Sequence, residues 1–164
     1  MGSADVQKND NNTPPVNHRR VVVTTDGMCT PNPGKTRIGV IVETGEGEIL
    51  QLVSEDSGWG TSNTAEYSAI IRGLEVSARL RAQIVTVYTD SQLVERQLNG
   101  VYKVGNKTLR GYHTRAKKLE SKFTRVRFRW HSREADRGPQ ADALAKGGKA
   151  AAEIYEQLAE PSRT

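Results

Sequence analysis

The chain has 164 residues, 24 Lys and Arg against 19 Asp and Glu, a formal charge of +5, and 35% apolar side chains. That length and composition suit a globular domain with its own core and exclude a chain disordered throughout. Cys29 is the single cysteine, which excludes an internal disulfide framework and a multi-cysteine zinc site; no apolar run approaches the ~18–20 residues of a membrane span.

Residues 1–18 are polar, contain a Pro-Pro pair and lack the apolar segment of a secretory signal, so a disordered tail is expected there. Val6 stands where an N-myristoylation motif requires Ser or Thr. A soluble, monomeric protein of the reducing cytoplasm is the expectation, with one domain over residues 19–158 and a C-terminal tail over 159–164. Arg19 to Asp26 is β-branched and bounded by Gly27, a first strand. The Pro31-Asn32-Pro33-Gly34 loop leads to a second strand, Thr36 to Glu43, and the Thr44–Gly47 turn to a third, Glu48 to Glu55. Short glycine-containing connections predict antiparallel pairing. Between Asn63 and Leu80, Tyr67, Ile70, Ile71, Leu74 and Ala78 recur at helical spacing, with Asn63 as the cap. Gln83 to Thr89 returns to strand, Ser91 to Leu98 is a short helix stopped by Asn99-Gly100, and residues 106–122 form another helix. Thr124 to Trp130 is a fifth strand, and a closing helix runs from Pro139 to Leu158. The order βββαβααβα predicts an α/β fold: a five-stranded mixed sheet, antiparallel then parallel, flanked by helices.

The charge is concentrated. Residues 103–133 hold eleven basic side chains against Glu120 alone, a net +10 that leaves −5 on the other 133 residues. Arg125, Arg127 and Arg129 alternate along one strand and so share a face, which favours a contact surface.

Four acids sit at informative places: Asp26 near the end of the first strand, Asp90 closing the fourth, and Glu66 and Asp142 each in the first turn of a helix. Each has a structural reading. Asn63-Thr64-Ala65-Glu66 has the form of a capping box, Asp142 suits a helix dipole, Asp90 suits an N-cap, and Asp26-Gly27 suits a turn. Together they read differently. If the first and fourth strands are central neighbours, the four carboxylates meet in one cleft, where unpaired charge is costly unless divalent cations occupy it. Oxygen-only ligands suit Mg²⁺ or Mn²⁺, and two such ions can flank a phosphodiester during hydrolysis.

Asp26-Gly27 with Pro31-Asn32-Pro33-Gly34, Thr61-Ser62-Asn63-Thr64-Ala65-Glu66, Thr89-Asp90-Ser91-Gln92 and Ala141-Asp142-Ala143-Leu144-Ala145, in this order, resemble type 1 ribonuclease H over residues 20–147. The resemblance implies a ribonuclease H-like fold and an endonuclease that uses two Mg²⁺ ions, with Mn²⁺ able to substitute, to cut the RNA strand of RNA–DNA hybrids, leaving 3′-hydroxyl and 5′-phosphate ends. It implies that Asp26, Glu66, Asp90 and Asp142 hold the metal, and that Asn32, Asn63, Ser91 and Gln92 meet the substrate groove. It implies also that Thr61, with Asn63, grips a DNA-strand phosphate. Reading the 2′-hydroxyl is what distinguishes RNA from DNA.

The chain departs from the family in three places. Ser62-Asn63 replaces the frequent Asn-Asn. Residues 100–106 bridge two helices without the basic protrusion of many bacterial members, as in the compact archaeal-like branch, and the basic helix and strand arginines are expected to take over part of the hybrid binding. In the loop after the fifth strand, Arg133-Glu134 matches that branch, Asp136 replaces its Asn, and a short insertion precedes Asp142. His131 reads as structural, Arg133 as the auxiliary catalytic residue, and Arg137 as the next candidate for that role. Two other readings stay open: a silent hybrid-binding module, and another nuclease of the fold such as a resolvase or integrase core.

Overall fold

The computed structural model describes residues 19–159. The tail predicted over residues 1–18 lies outside them, as does the C-terminal one apart from Ala159. The β-branched and alternating segments form β1 (Arg20–Cys29), β2 (Gly34–Thr44), β3 (Ile49–Gly60), β4 (Ile84–Thr89) and β5 (Arg125–Trp130). They make one sheet in the order β3-β2-β1-β4-β5. β1–β3 pair antiparallel, while β4 joins β1 and β5 joins β4 in parallel. β1 and β4 are thus central neighbours, as the carboxylate argument requires.

Helices cover both faces. Val21 and Val23 of β1 and Val40 of β2 pack against Tyr67, Ile70 and Leu74 of α1 (Ser62–Arg79). The same core takes Leu98 of α2 (Gln92–Leu98) and Leu109 and Ala116 of α3 (Lys107–Glu120). On the opposite face, Ile41 and Leu52 meet Ala141 and Leu144 of α4 (Gly138–Lys146) and Ile154 of α5 (Gly148–Ile154). Burial on both faces explains the near-continuous apolar run from Ile38 to Val42.

Several expectations are corrected. Asp26-Gly27 is no turn, because β1 continues to Cys29. β3 continues past Glu55 to Gly60, pairing through its backbone with Gly34–Arg37 across a bulge between Thr36 and Arg37. The closing helix is broken at Gly147 and Gly148, whose φ values of 76° and 57° lie in the left-handed region that glycine reaches without strain. A π-helical turn, Tyr155–Ala159, then ends the described chain. Neither Asn63 nor Glu66 caps α1: Thr61 is the N-cap, its hydroxyl accepting from the Thr64 amide while the Thr64 hydroxyl accepts from the Thr61 amide. Ser91, not Asp90, caps α2.

Candidate active site

Two glycines bring the helices onto the sheet. A Cβ on Gly27 would lie 2.4 Å from the carbonyl carbon of Ala65 and 2.6 Å from the amide nitrogen of Glu66, so β1 touches the first turn of α1 backbone to backbone. On the other face, Gly39 pairs with Asp26, and a Cβ there would lie 2.3 Å from the Ala141 carbonyl oxygen. Glu66 and Asp142 are consequently delivered to either side of Asp26. Asp90 arrives at the end of β4, which runs parallel to β1.

Asp26, Glu66 and Asp90 each place a carboxylate oxygen within 4.8 Å of the others. Asp26 and Glu66 are buried, and Asp26 Oδ1 and Glu66 Oε1 have no hydrogen-bond partner. Burial, with the charges of Asp90 and Asp142 behind it, pushes the Asp26 carboxyl up to about 8. Burial first, then Asp26 and Asp90, raises Glu66 well above the ordinary carboxylate range. Burial and mutual repulsion disfavour the charged forms of both acids, a penalty that a cation between them would relieve. The donors are all oxygen and two of them are buried orphans, so the residues fit a hard divalent cation. Asp142 stands beside Asp26 but outside the close triad, its Oδ2 held 3.1 Å from Lys146 Nζ.

The loop between β5 and α4 supplies one cation to the cluster. Arg133 Nε donates to Asp90 Oδ2 at 2.9 Å, with its own side chain 61% exposed. Arg137, the next candidate for the auxiliary role, contacts Glu43 rather than the cluster: Nε reaches Glu43 Oε1 at 3.3 Å and Nη2 reaches the Gly47 carbonyl, so Arg137 ties the loop to the β2–β3 turn. Asp136 has φ 49°, a left-handed conformation that Asp and Asn both tolerate, which accounts for the exchange of one for the other there. His131 is buried, packs on Tyr88 with ring centroids 5.3 Å apart and the rings tilted by 39°, and is pushed below its ordinary pKa first by burial. Its structural reading agrees with that packing. Trp130 Nε1 donates to the Asp90 carbonyl, steadying the end of β4.

Asn32, Thr61 and Asn63 line one depression of about 560 Å³ together with Trp59, Asn106 and Tyr112. Asn32 Oδ1 accepts from the Ser62 amide at 3.3 Å, which fixes the loop against α1. Ser91 Oγ accepts from the Val94 amide, and Gln92 Oε1 accepts from Arg96 at 3.3 Å at the start of α2. Sequence reasoning missed Lys146, although its i,i+4 spacing from Asp142 on a helix was readable. It also missed Asn106, whose side chain caps α3 by accepting from the Leu109 amide.

The family described as Reverse transcriptase-like matches residues 24–148. The bifunctional protein Rv2228c of Mycobacterium tuberculosis is 34% identical over 146 residues, which are 88% of this chain. This chain spans only 40% of that relative's length. Ribonuclease H of Bordetella pertussis is 34% identical over 148 residues, covering 82% of this chain and 92% of its own. The crystal structure of RNase H1 from Halobacterium salinarum superposes with a TM-score of 0.75 at 33% identity, over 82% of this chain and 98% of that one. LC11-RNase H1, isolated from compost and solved in complex with an RNA/DNA hybrid, gives 0.73 at 31% identity, over 81% and 99%.

Proposed function

Because the chain belongs to the ribonuclease H family, we propose that it is an endonuclease that hydrolyses the RNA strand of RNA–DNA hybrids, depends on Mg²⁺ and accepts Mn²⁺, and leaves 3′-hydroxyl and 5′-phosphate ends. The observation that carries this reading is the convergence of Asp26, Glu66 and Asp90, two of them buried and with unpartnered oxygens. These three, with Asp142, would hold the metal. Two bound ions supply an activated water and neutralise charge on the leaving oxygen.

The chain's own groups then bind and orient. Asn32, Asn63 and Gln92 offer amide donors and acceptors of the kind that read a 2′-hydroxyl across a shallow minor groove. Ser91 spends its oxygen as a helix cap and keeps its proton to donate. Thr61 and Asn63 take a DNA-strand phosphate in the depression they share with Asn106. Arg133 is the auxiliary residue: its guanidinium lies on Asp90 while remaining largely exposed, so it can exchange that carboxylate for a substrate or product phosphate. One chain supplies every one of these groups, so a monomer suffices. A cytoplasmic location belongs to the same proposal; the Cys29 thiol is buried and donates to the Pro31 carbonyl. Among the described residues no helix is long and apolar enough to cross a membrane.

The test is cleavage of labelled hybrid, double-stranded RNA and double-stranded DNA, with Mg²⁺ and with EDTA. Metal-dependent cutting confined to the RNA strand of the hybrid is the expected result. Binding without cutting would instead identify a silent module, and cutting of duplex DNA would identify a nuclease of the resolvase or integrase kind.

A further inference from the structure

The basic segment does not form one surface. Leu109 and Ala116 seat α3 on the α1 side of the sheet, in the core that also holds Phe128 of β5. Arg125, Arg127 and Arg129 alternate with Val126 and Phe128, so they project from the other side. The expectation that helix and strand basic residues together meet the hybrid is corrected on this point. A straight duplex lying along α3 cannot also reach guanidiniums on the far face of β5.

That far face is open over β4 and β5, while over β1 it narrows to a depression where Val22, Thr24 and Tyr88 meet Glu43, Glu46, Asp136 and Arg137. α4 lies over β1, β2 and β3, while Thr86 and Tyr88 of β4 stay half-exposed and the three β5 arginines exposed. The strand registers set out three rows across it: Arg20–Ile84–Arg125, Val22–Thr86–Arg127 and Thr24–Tyr88–Arg129. Successive arginines along β5 are about 6–7 Å apart, from the strand rise, a separation comparable with that of neighbouring phosphates in an extended single strand. Among the described residues, none of Arg20, Arg125, Arg127 and Arg129 is in an ion pair. The rows lead to the carboxylates: Asp26 follows Thr24 by two residues on the same face of β1, and Asp90 follows Tyr88 by two. Between the arginines and the acids stands the Tyr88–His131 pair, its rings tilted by 39°.

We propose that this arginine face binds single-stranded RNA continuing from the strand held at the carboxylates. Guanidiniums take the phosphates and the half-exposed Tyr88 offers an aromatic surface beside them, the combination that serves single strands without sequence preference. The occupant is the RNA strand because Asp26 and Asp90, which rest on the reading above as the ligands at its scissile phosphate, share this face. The proposed DNA-strand depression lies on the α3 side.

The experiment uses the full chain and a variant carrying Arg125→Gln, Arg127→Gln and Arg129→Gln. The probes are one hybrid in four forms: blunt, with a short oligouridine tail on the 5′ end of the RNA strand, with the same tail on its 3′ end, and with a thymidine tail on the DNA strand. Affinity is read by anisotropy in Ca²⁺, and KM and kcat in Mg²⁺. An RNA tail of one polarity is expected to tighten wild-type binding. For three phosphates at a slope of about 0.7 each, that advantage shrinks about 20-fold between 50 and 200 mM salt. The variant should lose the advantage while its KM and kcat on the blunt hybrid stay within twofold of wild type. The proposal is overturned by no gain from either RNA tail, by an equal gain from the DNA tail, or by equal losses on blunt and tailed hybrids. Failure to cut any hybrid would refute the catalytic reading instead, and the anisotropy arm would still decide the tail.

Discussion

Replacing Gly27 with Ala tests whether backbone contact between β1 and α1 sets the carboxylate geometry. The added Cβ would stand 2.4 Å from the Ala65 carbonyl carbon, against at least 3.4 Å for ordinary contact, so one element must retreat by about 1 Å. Both sides of the clash are backbone, so no rotamer change relieves it. Overpacking of this kind costs about 1–3 kcal/mol, or several degrees in Tm at about 2–4 °C per kcal/mol for a chain of this size. The functional loss should be larger in proportion: Glu66 rides on the displaced turn, and a misplacement of about 1 Å in a catalytic constellation costs on the order of 10²-fold in rate. Gly111→Ala is the control, since a Cβ there meets nothing within 4 Å and the residue lies within α3. It should gain about 0.4–1 kcal/mol with activity unchanged. Urea unfolding and initial rates of hybrid cleavage measure both. If Gly27→Ala kept wild-type rate and stability, the close approach would not be what positions Glu66.

The Asp26 carboxyl stands near 8 in the folded chain against 3.8 when unperturbed, so the folded state keeps a proton that the unfolded state has lost. Stability of the metal-free protein should therefore fall as pH rises from about 4 to about 8; a pH series of melts in EDTA checks this, and Asp26→Asn should flatten it. Mg²⁺ should stabilise more at pH 8 than at pH 6, because cation binding competes with that proton; a rising melt shift with falling pH would contradict it. Tyr67→Phe leaves the buried Gln97 Oε1 without the hydroxyl that donates to it at 2.7 Å, and should lose about 1–3 kcal/mol in urea unfolding.

Much of this was legible in the chain because period and position carry it. The i, i+3, i+4 spacing of Tyr67, Ile70, Ile71 and Leu74 placed α1, and the alternation of Arg125, Arg127 and Arg129 placed their common face on β5. The four acids could be assigned to strand ends and helix starts. What was not legible depends on what lies across space. Gly27 reads as a turn residue, yet it is a strand residue kept small by the helix above it. Thr61 caps α1 while Glu66, at the position of a capping-box acid relative to Asn63, is left for the carboxylate cluster; one-residue shifts in helix start decide such roles. β3 runs on through Asp56, Ser57 and Gly58 because β2 offers it hydrogen bonds regardless of its exposed polar side chains. Nothing along the chain announces that α3 and the β5 arginines, adjacent in sequence, face opposite sides of one sheet.

The crowded carboxylates are the proposed catalytic centre. The most direct measurement is the single-turnover rate of hybrid cleavage by Asp90→Asn against wild type at saturating Mg²⁺, with both proteins melted in EDTA. Removing a preorganised charge at the reacting phosphate should lower the rate by at least about 10²–10³-fold. The variant should melt no lower than wild type, since one source of repulsion on Asp26 and Glu66 is gone. Wild-type rate in a folded Asp90→Asn protein would contradict the claim, as would a variant that loses activity only because it unfolds.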